Sequence, residues 1–272
     1  PWTCIPLLWL RKYSKVTTLP EGNLHSGMQR RVEMKIARNF HVRQSDALIT
    51  LCDFDRKQVE KYASGKLIHI IPHGANTLFP DTRFTETKKE ENLVLMFGGI
   101  APFKGIEYAL RAFIIVNRRI PDAKLLIAGR GEIKPYRDLL ARVANVEIDN
   151  TFVSIEKASE YFRRAKLLIM PYVEDDHSGV IPIAFASGKP VVVSDRVCDM
   201  VDQEKTGLIV PARDHEALAL GILRLLEDEG LRQRMGAAAL KKAQDELSWS
   251  TIAEQTIKVY QHAMALNTRR SG

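Results

Sequence analysis

Runs such as Leu125-Leu-Ile-Ala-Gly129 and Leu167-Leu-Ile-Met-Pro-Tyr172 are apolar at almost every position. A strand with one wet face alternates apolar and polar residues, so a run without alternation belongs to a sheet covered on both sides. Helical stretches separate these runs, which implies parallel βαβ units and an α/β fold.

The pattern begins with a short strand at Val16 to Leu19, followed by a basic amphipathic helix from about Met28 to Asn39. A buried strand at Asp46 to Leu51, a helix at Phe54 to Tyr62 and a strand at Leu67 to Ile71 follow. The segment from Thr77 to Asn92, with Pro80 and the charged run Lys88 to Glu91, breaks the alternation and reads as a linker. A second series starts at Leu93. It comprises strands at Leu93 to Phe97, Lys124 to Ala128, Val146 to Ile148, Lys166 to Met170, Val191 to Val193 and Gly207 to Val210. Helices are expected at Ile106 to Arg119, Tyr136 to Val143, Ile155 to Arg164, Glu216 to Glu227 and Leu231 to Glu246. This is a doubly wound domain, and such sheets bind ligands beyond the carboxyl ends of their strands.

The loops at those ends carry anion-binding chemistry. Gly98-Gly99 opens the first, and Lys104 closes it just before a helix. Gly129-Arg130-Gly131 forms the second. Residues 171–195 read PYVEDDHSGVIPIAFASGKPVVVSD, where the acids Glu174, Asp175 and Asp176 precede His177, Ser178 and Gly179 at the start of a short helix. Unpaired N–H groups at a helix start suit a phosphate, and the acids beside them suit sugar hydroxyls. Plainer readings stand beside these. The glycines serve ordinary turns, Lys104 and the acids could simply be solvated, and the D-D-H order is also that of a metal-binding acidic motif.

Taken in order, these motifs resemble the family 4 glycosyltransferases. FGGIAPFKG is similar to that family's G-R-L-x-x-x-K-G loop, LLIAGRG to its second strand, FASGKPVVVSD to A-x-G-x-P-V-V, and Lys205 to Pro211 to T-G-L-L-V-P. Ile70-Ile-Pro-His-Gly74 looks like the strand before the domain linker, and Leu247-Ser-Trp249 precedes what would be the crossover helix. The resemblance implies a GT-B fold, with a doubly wound Rossmann-like C-terminal domain and the remnant of a second Rossmann-like N-terminal domain. The expected boundaries are 1–80 for the acceptor-side remnant, 81–92 for the linker, 93–246 for the donor-binding domain and 247–266 for the crossover helix.

It also implies an enzyme that transfers a sugar from a UDP-, GDP- or ADP-sugar to a hydroxyl of a glycan or lipid-linked acceptor, with retention and without a metal or other cofactor. Lys104 would neutralise the diphosphate, and Glu174 or Asp175 would hold the donor sugar. The remaining donor contacts would come from Gly98, Gly99, Gly129, Arg130, Gly131, His177, Ser178, Gly179 and Val180, with Phe152 and Val153 bordering the base. Two positions depart from the pattern: Gly99 stands where the family has arginine, and Ile183 where it has a second acid. These departures support an alternative, a non-catalytic nucleotide-sugar-binding or assembly module. An epimerase is a weaker option, because no convincing acid/base set is visible.

Composition narrows the partners. Forty basic against 33 acidic residues give a formal charge of +7, and no basic tract alternates with aromatics as a nucleic-acid groove requires. An anionic membrane surface or an anionic small substrate fits better. Cys4, Cys52 and Cys198 are too widely spaced for a disulfide framework or zinc knuckle. As free thiols they point to a reducing cytoplasm, and the basic balance is compatible with a peripheral place on the inner face of the membrane. The opening PWTCIPLLWLRKYSK is too short to span a bilayer and carries its charges last. It reads as an internal start, so truncation of the N-terminal domain is expected.

Overall fold

The structure, a computed structural model, describes residues 13–19, 31–75, 91–174, 178–197 and 199–271. Of the expected linker, 81–92, residues 81–90 lie outside the described residues, as does the start of the basic helix. The chain divides into two compact units, residues 75–247 and residues 1–74 with 248–272.

The larger unit is a six-stranded parallel sheet. Its strands are β4 (Leu93–Phe97), β5 (Lys124–Ala128), β6 (Val146–Asp149), β7 (Leu167–Met170), β8 (Val191–Ser194) and β9 (Gly207–Val210). They lie in the order β6-β5-β4-β7-β8-β9. Side chains alternate between two cores. Val94, Met96, Leu125, Ile127, Leu167, Ile169 and Val192 face one cluster. Leu93, Leu95, Leu126, Ala128, Leu168, Met170, Val191 and Val193 face the other. Both faces are therefore dry, which explains why these runs show no polar alternation.

The first face is covered by α3 (Ile106–Arg119) and α7 (His215–Glu227), through Ile106, Leu110, Phe113, Leu218, Ile222 and Leu225. On the second face lie α5 (Ile155–Arg164) and α6 (Val180–Ala186), through Tyr161, Phe162, Ile181 and Phe185. The helix α8 (Glu229–Asp245), last of this unit, serves both faces, giving Leu231 and Met235 to the first core and Ala239 and Ala243 to the second. Caps mark the helix starts as the side chains dictate. Asp214 accepts from the N–H groups of Glu216 and Ala217, Ser154 from Lys157, and Asp228 from Leu231. The helix expected at Tyr136 to Val143 is shorter, a 3-10 turn at Lys134–Tyr136 followed by α4 (Arg137–Leu140). Tyr136, Leu139, Leu140 and Val143 still pack against the first core, but the exposed Arg137, Asp138, Ala141, Arg142 and Ala144 between them leave the last turn little to hold it helical.

The smaller unit carries β1 (Val16–Leu19), β2 (Ala47–Thr50) and β3 (Leu67–Ile70), all parallel and in that order. Its helices are α1 (Arg31–Gln44), α2 (Asp53–Glu60) and α9 (Trp249–Ser271). Ala47 and Ile49 pack with Ile252, Val259 and Ala263 of α9, while Leu48 packs on the other face with Val42 and Val59. The basic helix runs to Gln44, five residues beyond the expected Asn39. No helix among the described residues is long and apolar enough to cross a membrane.

Candidate functional site

The strand order reverses between β4 and β7: β5 and β6 follow on one side of β4, β8 and β9 on the other side of β7. The carboxyl ends of β4 and β7 therefore flank the crevice where open parallel sheets take their ligands. The loops singled out by sequence leave from these strands and from β5 and β6.

A 3-10 turn, Pro102–Lys104, follows β4 and ends at Gly105, whose φ of 73° is left-handed. A Cβ at Gly105 would collide with the carbonyl of Pro171, so only glycine lets this turn press against the exit of β7. The Val173 N–H donates to Phe103 O at 2.8 Å and fixes the contact. Lys104 is thereby delivered to Tyr172. Its Nζ donates to the Tyr172 hydroxyl at 2.6 Å. The same ammonium lies 3.9 Å from the centroid of the Tyr172 ring and 4.8 Å from that of Phe103, within cation–π range.

The network continues to the acidic loop. Tyr172 Oη lies 3.1 Å from Ser178 Oγ, which donates to Met170 Sδ at 3.6 Å and accepts from the Val180 N–H at 3.3 Å. Ser194 Oγ donates to the Tyr172 carbonyl at 2.7 Å. Ser178 is buried, so its side chain braces the loop, and one N–H of the helix start is already capped by it. The helix it opens, α6, has seven residues. Gly98, Gly99, Lys104, Ile169 and Tyr172 line a recess of about 10 Å³ at the switch point, room for one water.

The loops after β5 and β6 join the rim by backbone contacts. Gly129, at φ 148°, would drive a Cβ into the Gly98 carbonyl. Ile100 N–H donates to Arg130 O at 2.9 Å. The Asn150 side chain accepts from Gly131 N–H at 2.9 Å and donates to Gly131 O at 3.0 Å. Gly129 and Gly131 thus hold neighbouring loops together, with the Gly131 N–H already bonded. Arg130 is exposed beside them. Phe152 is 90% exposed on the loop after β6, with Val153 half-buried next to it.

That loop is anchored by Asp149, a buried carboxylate that sequence reading passed over. It accepts from Thr151 Oγ1 at 2.6 Å, Tyr161 Oη at 2.8 Å and Lys157 Nζ at 2.8 Å. The Lys157 ammonium and the Thr151 hydroxyl hold its pKa down at about 2. Glu174 and Gly179 are half-buried at the mouth of the crevice, while Asp175 and His177 lie outside the described residues. Ile183 packs against the second core. Among the described residues no three His, Cys, Asp or Glu side chains come together as metal ligands would.

The sequence profile described as "Glycosyl transferases group 1" matches residues 91–228, half of the chain and the part that builds this rim. The chain belongs to the group 1 glycosyl transferases. Relatives of this group include an uncharacterized glycosyltransferase of Methanocaldococcus jannaschii, 31% identical over 66% of this chain and 47% of its own length. An alpha-D-kanosaminyltransferase of Streptomyces kanamyceticus is 28% identical over 83% of this chain and 63% of its own. The chain thus spans about half to two-thirds of the curated relatives it matches. Among solved structures, Anabaena HepE in complex with UDP-glucose superposes with a TM-score of 0.80 at 18% identity, covering 96% of this chain and 75% of HepE. Sucrose-phosphate synthase from Thermosynechococcus elongatus gives 0.75 at 22%, covering 92% and 68%. This group 1 chain accordingly has the GT-B fold, as the motifs implied.

Tyr172 and Asp149 are the residues that the motifs did not flag. Tyr172 had one visible signal, a polar-tipped aromatic closing a fully apolar run, since a buried phenol needs a partner. Asp149 had none, because its three donors come from a loop and a helix whose meeting no spacing reveals.

Proposed function

We propose that this chain is the donor-binding part of a retaining, metal-independent glycosyltransferase that moves a sugar from a nucleotide-sugar to an acceptor hydroxyl, in the synthesis of a polysaccharide or glycolipid. The observation that carries the reading is Lys104. Its ammonium is held at the carboxyl ends of β4 and β7, where the strand order reverses, and is tied through Tyr172 to the Ser178 loop. A nucleoside diphosphate is the leaving group of such a transfer. A fixed cation and fixed N–H groups at its departing oxygens stabilise the charge that develops, without reorganisation at the moment of reaction. Lys104 takes the role a divalent ion would otherwise fill. The N–H groups at Ser178 and Gly179 face the phosphates, Glu174 or Asp175 holds the sugar, and Phe152 with Val153 borders the base. The protein works in the cytoplasm, at the inner face of a membrane, on a glycan or lipid-linked acceptor.

Calorimetry with UDP, GDP and ADP tests this directly. One of the three is expected to bind at or below millimolar concentration, with affinity unaffected by EDTA. Lys104→Ala should weaken the diphosphate far more than the nucleoside; equal losses would return Lys104 to the solvated surface, and no binding at all would end the reading.

A second reading rests on Ile183. It stands where the family has an acid and packs into the core, which suits a module that binds nucleotide-sugar and transfers nothing. Such a module would hold a nucleotide-sugar, yet show neither transfer nor slow hydrolysis across all donors.

A further inference from the structure

We propose that Tyr172 is a positioning residue of the diphosphate site, a buried hydroxyl that holds the Lys104 ammonium and the Ser178 loop in one fixed relation before the donor arrives. The proposal rests on the donor reading above and adds a residue to it.

Tyr172 is 1% exposed, so it acts through its neighbours and not on the ligand. Its ring is packed in the second core and stands edge-on to Phe103 at 6.1 Å. Its carbonyl is held by Ser194. The hydroxyl is therefore pinned from both ends of the residue, and it lies between two groups on different loops: Lys104 Nζ at 2.6 Å and Ser178 Oγ at 3.1 Å.

The proton order follows from the donors. Lysine only donates, so the Tyr172 oxygen accepts from it and passes its own single proton to Ser178 Oγ. Ser178 then accepts from Tyr172 and from the Val180 N–H, and gives its proton to Met170 Sδ. The chain runs one way, Lys104 to Tyr172 to Ser178 to Met170, and a missing hydroxyl at 172 breaks it at both ends. A flexible lysine loses rotamer entropy when a ligand fixes it. Here the phenol and the two rings under the ammonium have restricted the side chain already, so the diphosphate meets an oriented cation.

Tyr172→Phe keeps the ring and removes only the hydroxyl. The test is calorimetry on the full chain with UDP and uridine, or with GDP or ADP and its own nucleoside where the wild type takes that base instead; for Tyr172→Phe the diphosphate is expected to bind about tenfold more weakly, a loss of about 1.4 kcal/mol, with the nucleoside unchanged within about twofold. The variant Lys104→Ala loses diphosphate affinity by itself, and adding Tyr172→Phe to it should change little, because the hydroxyl acts through the amine. Equal diphosphate affinity in Tyr172→Phe and the wild type would overturn the proposal. So would matched losses for nucleoside and diphosphate, which mark a general structural effect, or losses that multiply in the double variant. Should Tyr172→Phe not fold, Ser178→Ala removes the hydroxyl's acceptor and leaves the ring in place; it must weaken the diphosphate in the same direction, and no loss there overturns the proposal. Failure of the wild type to bind UDP, GDP or ADP is a different result, since it refutes the donor reading on which the proposal stands.

Discussion

Replacing Asp149 with Asn tests how the loop carrying Phe152 is held. The carboxylate takes three donors, from Thr151, Tyr161 and Lys157. Its pKa is held at about 2, against an ordinary value near 3.9, and the difference corresponds to about 2.5 kcal/mol favouring the charged form. Lys157 is half-exposed, which screens its share, so a loss of about 2 kcal/mol on Asp149→Asn is the working figure. For a unit of this size that lowers the melting temperature by about 4–8 °C. The pH dependence follows from the sign. Because the folded value is depressed, the stabilisation is complete above about pH 4 and disappears as pH falls toward about 2, with half of it gone near pH 3. Urea unfolding of wild type and variant at pH 7, 5, 4 and 3 measures this gap. A gap below about 0.5 kcal/mol at pH 7, or one that stays constant down to pH 3, would refute the reasoning.

Gly105→Ala should cost about 3 kcal/mol or more, because it adds left-handed strain to a collision with the Pro171 carbonyl; a thermal melt within about 2 °C of wild type would contradict this. His69 of the smaller unit is held below its ordinary pKa by burial and by His262, whose ring lies 6.0 Å away. The unfolded chain takes up a proton before the folded one, so that unit should lose stability as pH falls below about 6.5, and His69→Phe should remove this slope in hydrogen-exchange measurements on β3 and α9. Phe113 of α3 is fully buried in the first core, and Phe113→Ala should cost about 3–5 kcal/mol in urea unfolding; a cost below about 1 kcal/mol would mean that the first core is loosely packed.

The larger unit was legible because its signals were redundant. Val94 and Met96 face one core and Leu93 and Leu95 the other, so the lack of alternation in LVLMF stated directly that both faces are covered. Amphipathic helices with good caps, such as the one opened by Ser154, fell where expected. The helix expected at Tyr136 to Val143 was misjudged in length because its apolar residues at helical spacing pack on one side only, while the exposed residues after Leu140 add nothing to hold a further turn. At the site, the glycine loops were found, but the jobs of some glycines were not. Gly129 is glycine because the Gly98 carbonyl sits against it, a long-range contact that no spacing within one loop displays. Tyr172 escaped for the same reason: its partners Lys104 and Ser178 meet only after β4 and β7 become neighbours.

The central claim is that a nucleoside diphosphate binds where the strand order reverses. Amide NMR of the chain titrated with UDP, GDP and ADP tests it most directly. One of the three should shift the amides of the loops Gly98 to Lys104 (Pro102 excepted), Gly129 to Gly131 and Ser178 to Val180, with the shifts much reduced at the same ligand concentration in Lys104→Ala. Shifts confined to residues away from these three loops, or no shifts with any of the three at millimolar concentration, would contradict it.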